Sequence, residues 1–103
     1  MKLIKELSEM IEDEIKDVRK YAEKAVALKS EHPAMADVLM NISKQEGEHM
    51  NKLHEQVSKL ISEYRGKNGE PPADMMAVYD YLHQKQIEEY AEAKRFQDIY
   101  LGR

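Results

Sequence analysis

The chain has 103 residues, a net charge of −4 at neutral pH and no cysteine. That length holds one domain with one modest core, and the missing thiols exclude disulfides, thiolate zinc sites, iron–sulfur clusters and thiol nucleophiles. Basic residues are scattered among acids, so no nucleic-acid face is expected, and no run approaches the ~20 apolar residues of a membrane span.

The N-terminal stretch Met1-Lys2-Leu3-Ile4-Lys5-Glu6 meets charge at once and has no apolar signal core, so the default expectation is a cytoplasmic protein. The first helix is predicted from about Lys2 to Lys29, with Ile4, Leu7, Ile11, Val18, Ala22 and Ala25 forming one stripe. Glu14 and Tyr21 occupy two places within that stripe. Ser30-Glu31-His32-Pro33 is the break, with Pro33 suited to the first position of a second helix and Ser30 or His32 available to cap it. So short a link makes the two helices an antiparallel hairpin.

The second helix is predicted to run to about Arg65, where Gly66-Lys67-Asn68-Gly69-Glu70-Pro71-Pro72 stops it. Asp74 is the expected N-cap of a third helix reaching about Leu101, whose apolar positions are Met75, Val78, Tyr79, Leu82, Tyr90, Ala93, Phe96 and Tyr100. The expectation is an all-α domain spanning 1–103, with helices near 2–29, 33–65 and 74–101 and no strand or repeat.

The second helix carries the chemistry. Its apolar residues recur at Met35, Leu39, Ile42, Leu53 and Leu60, and the same spacing falls on Glu46 and His49 of Gln45-Glu46-Gly47-Glu48-His49. An acid and an imidazole therefore stand where core side chains belong, which is costly unless something compensates them. Glu14 lies about as far before the turn as Glu46 and His49 lie after it. At ~1.5 Å rise per residue, all three side chains reach one level of the hairpin. A bound metal would compensate them; alternatively, Glu14 and His49 form a hydrogen-bonded core pair that fixes register.

Other polar positions read more blandly. Glu48 is expected in solvent and His54 exposed off the seam. Asp80 and His83 repeat the three-residue spacing but lie off the third helix's main stripe. Gly47 costs ~1 kcal/mol in a helix interior, which either a close helix approach or a tolerant solvent face explains. Glu89 is the first additional ligand if the third helix enters the site.

Glu14 followed by Tyr21, then Gln45-Glu46-x-Glu48-His49, resembles the first half of the ferritin-like di-iron carboxylate proteins, the rubrerythrin branch above all. The likeness covers the first two helices. It implies that Glu14 is a terminal iron ligand, Glu46 bridges two metals, His49 is a second terminal ligand, and Tyr21 hydrogen-bonds to one of the ligands. A full bundle of that family repeats the ligand set, whereas this chain carries one set. A two-fold dimer would restore four carboxylates and two imidazoles, as in the encapsulated ferritins, whose short chains build the site between subunits. Their shell-targeting peptide is not recognisable in Ile99-Tyr100-Leu101-Gly102-Arg103. The resemblance implies two irons per dimer, with manganese as the other candidate, in a homodimer or larger homo-oligomer. It also implies ferroxidase or peroxidase activity with dioxygen or peroxide, in iron handling or oxidant defence. The alternative from another class is a metal-free three-helix structural or interaction protein.

Overall fold

The computed structural model describes residues 2–103. They form three helices, α1 (Lys2–Leu28), α2 (Pro33–Asn68) and α3 (Ala73–Tyr100), and no strand among the described residues. The result is an all-α rod of 56 × 20 × 18 Å. Among the described residues, no helix is long and apolar enough to cross a membrane.

The turn is tight because Pro33 starts α2 at once: its missing N–H costs nothing at the first helical position. His32 holds the N-cap position but makes no side-chain cap bond. Its backbone closes the turn instead, accepting from Leu28 the role of a helix end: the His32 N–H donates to Leu28 O at 2.8 Å, and Ala36 N–H donates to His32 O at 2.9 Å. The far end of α2 differs from expectation. The helix passes through Gly66 and stops at Asn68, because Gly66 faces open space and costs only propensity there. Gly69 ends it with φ +79°, a left-handed conformation that suits glycine, and donates to Arg65 O at 3.1 Å. At α3 the expected cap also moves: Pro72 takes the N-cap position, and Asp74 lies in the first turn, accepting from Met75 N–H at 3.0 Å.

Helix α1 is central, packing along both partners, while α2 and α3 meet mostly through long side chains. One apolar cluster joins Ile4, Ile11, Ile15, Met50, Val57 and Ile61, and a second joins Ala22, Ala25, Ala36, Met40 and Tyr100. Removing each of the larger aliphatic chains from water contributes about 1.5–3 kcal/mol.

Polar pins fix the register of α3. Gln86 Nε2 donates to Ser8 Oγ at 2.9 Å, and Gln97 Nε2 donates to Ser43 Oγ at 2.9 Å, which itself donates to Val18 O at 2.7 Å. Tyr100 OH donates to Asp37, and Lys29 Nζ to the Tyr100 carbonyl, tying the end of α3 to the hairpin turn.

Two stripes are corrected. In α2 the fully buried line is Ala36, Met40, Ser43, Gly47, Met50, Val57 and Ile61. The line expected to be core (Met35, Leu39, Ile42, Leu53 and Leu60) is a flank, with Met35 exposed and the other four half-buried. In α3 Val78 is exposed, and Gln86 and Gln97 are buried in its place. The cause is common to both: small and hydrogen-bonded polar residues allow closer approach than the larger aliphatic chains, so they take the contact line.

Candidate metal centre

Glu14 of α1 and Glu46 and His49 of α2 meet at one level of the hairpin, each offering a ligand atom within 4.8 Å of the others. The helical rise and the tight turn produce this meeting, as the equal spacing about residue 31 predicts. His49 Nδ1 lies 3.6 Å from Glu14 Oε2 and 3.7 Å from Glu46 Oε2. Both separations are longer than a hydrogen bond, so His49 meets the two carboxylates as a charge partner rather than as a hydrogen-bonded one. The Glu14 and Glu46 side chains are 25% and 20% exposed, and His49 opens outward at 52%.

Glu14 Oε2 is buried with no hydrogen-bond partner among the described residues. Two facing carboxylates have only acceptors to offer each other unless one takes a proton. Hydrogen bonding to Glu46 in that protonated form, burial, and the Glu46 charge push Glu14 up to about 7; His49 pulls it down and Asp17 adds to the rise. The site is short of positive charge.

A divalent cation fits that shortage. Donors around one ion at about 2.1 Å are spaced about 3–4 Å apart, and the observed separations are of that size. Two carboxylates and one imidazole suit iron or manganese better than a structural zinc.

The remaining candidates fall elsewhere. Tyr21 is half-buried two turns along α1, with Lys20 Nζ 5.0 Å from its ring centroid; among the described residues no hydrogen bond joins its hydroxyl to the trio. Glu89 is outside the group and pairs with Lys85 at 3.7 Å. Asp80 is exposed, and Glu48 is in solvent as expected. His54 is not exposed: it is half-buried against His83 of α3.

Of the two readings of Gly47, close approach is the observed one. A Cβ there would stand 3.1 Å from Tyr90 Oη. The residue after Glu46 therefore meets α3 closely, on a different face of α2 from the one that carries Glu46 and His49. Sequence reasoning placed Tyr90 among packing residues without this partner, since nothing local links positions 47 and 90.

Comparison with protein-family models, with curated proteins and with solved structures finds no match for this chain.

Proposed function

We propose that this chain is a ferritin-like iron-binding protein whose metal centre is completed by a second copy of itself. The observation that carries the reading is the buried, unpartnered Glu14 Oε2 beside Glu46 and His49. Support for the second copy comes from the surroundings. The flank holding the trio faces away from α3, and it carries Leu3, Met10, Met35 and Val38, each at least half exposed. Leu39, Ile42, Leu53 and Leu60 continue it half-buried. So much apolar surface around a charged cluster fits an isologous interface.

Two such flanks facing each other bring four carboxylates and two imidazoles together. Four negative charges balance two divalent cations in a water-poor layer. Two ferrous ions held there would together supply the two electrons needed to reduce dioxygen or peroxide by one step. The chain's own residues bind and orient: Glu14 and Glu46 neutralise charge, and His49, the most open of the three, stands at the solvent side. Tyr21, on the same face of α1, is positioned to meet the partner's surface.

The test is anaerobic ferrous titration with oligomer mass read by native mass spectrometry. Two irons bound together per dimer is the expected result. A protein that ignores iron overturns the reading.

One observation favours the metal-free alternative: α3 packs on its own hairpin, completing a three-helix bundle. On that reading Glu14→Leu with His49→Leu stabilises the fold and changes nothing else, because apolar groups replace buried polar ones.

A further inference from the structure

On the opposite side of α2, His54 meets His83 of α3 edge to face, with ring centroids 4.7 Å apart and planes at 76°. Both rings are half-buried. His83 Nδ1 lies 3.2 Å from the Tyr79 hydroxyl. Neither imidazole is salt-bridged; among the described residues the only histidine ion pairs belong to His49. Charged side chains line the clefts beside His54 and Tyr79: Lys2 and Lys5 of α1, Glu55 and Lys59 of α2, and Asp74 and Lys94 of α3, while the Asp80 charge acts on Tyr79. Burial and the His83 charge act on His54, and no carboxylate is paired with either ring among the described residues, so a doubly protonated pair lacks an ion-pair partner.

An edge-to-face contact accommodates one proton, because a positive edge is attracted to a neighbouring ring face. Two imidazolium ions at this range repel, and more strongly where water is scarce. Burial and the neighbouring His83 hold the His54 imidazole below its usual range. Beside this half of α3 lies an open cleft of about 480 Å³, whose apolar lining includes Ile4, Ile61, Met75, Met76, Tyr79 and Leu82. So roomy a contact is the kind that opens locally without global unfolding. Beyond it, the Gln86–Ser8 and Gln97–Ser43 pins hold the rest of α3 in place.

We propose that His54 and His83 form an acid-sensitive catch: sharing at most one proton they hold the N-terminal half of α3 to the hairpin, and a second proton releases it. The device is independent of metal binding.

Hydrogen exchange of the full chain tests this, in chelator, at pH 7.5 and 5.5, with rates corrected for intrinsic exchange. His54→Phe keeps the ring contact but takes no proton, and His83→Gln removes the second charge. Segments within 74–86 lose about tenfold protection on acidification of the wild type, α1 and segment 90–100 keep theirs, and both variants abolish the loss. Equal loss in the variants, no loss at all, or loss spread over all three helices overturns the catch. Should the variants fail to fold, ring titration of the wild type by NMR decides. Two coupled steps, one displaced to lower pH, support the catch, and two independent steps overturn it.

Discussion

The two faces of α2 crowd like groups together in opposite ways. On the α1 flank, Glu14 and Glu46 are carboxylates brought together with too little positive charge, and Glu14 is pushed up to about 7. On the α3 side, His54 and His83 are imidazoles set edge to face without an ion-pair partner, and His54 is pushed down. Both arrangements favour the neutral form of a group. The carboxylate cluster gains from an added cation, whereas the imidazole pair loses from an added proton. Crowding alone does not make a ligand site; the sign of the missing charge decides what the site accepts.

The comparison breaks most visibly at the proposed metal ligands. Glu46→Ala with His49→Ala removes two of three donors and weakens ferrous binding by at least about 100-fold, since even outer partners of metal ligands are worth about 10–100-fold; His54→Phe leaves it unchanged. Anaerobic titration reads both. Next comes the residue between the faces. Gly47→Leu pushes against Tyr90 Oη, which would lie 3.1 Å from even the first added carbon, and costs about 1–3 kcal/mol in urea unfolding.

A pH series on the metal-free protein sharpens the contrast. Glu14 has its folded value raised from 4.5 to about 7, so its stabilising contribution is present below 4.5 and is lost as pH rises toward 7. Glu14→Gln lacks that fall and keeps only the opposite trend of the His54 imidazole, whose lowered value costs stability as pH drops; the change in urea midpoint between pH 5 and pH 8 distinguishes it from the wild type. Saturating ferrous iron, kept anaerobic, reverses the wild-type slope, because metal binding needs the carboxylate deprotonated. The smallest effect is expected at the seam pinned by neutral groups: Gln86→Ala strips a hydrogen bond from Ser8 and costs about 1 kcal/mol without altering either pH response.

The trio of Glu14, Glu46 and His49 was legible before any coordinates, because a two-helix hairpin with a short turn is nearly one-dimensional: similar distance from the turn centre, near residue 31, means similar height. The three- and four-residue spacing in α2 was legible too, but it marked the wrong line. Met35, Leu39, Ile42, Leu53 and Leu60 are the more apolar set, yet Ala36, Ser43 and Gly47 take the contact with the neighbouring helices. Hydropathy reports what avoids water, not which neighbour covers it.

The sequence by itself determined three helices, their approximate bounds, the hairpin, and one acid–imidazole cluster at a common level, since all of these follow from helical periodicity and one proline turn. Only the tertiary structure decided where α3 lies and in which register. That choice depends on non-local matches: Gln86 with Ser8, Gln97 with Ser43, Tyr90 against Gly47, and His83 against His54. No local pattern encodes them, because the Gly69–Pro72 link sets no phase between α2 and α3. The packing that set the phase also left the apolar flank around Glu14, Glu46 and His49 without a third helix over it.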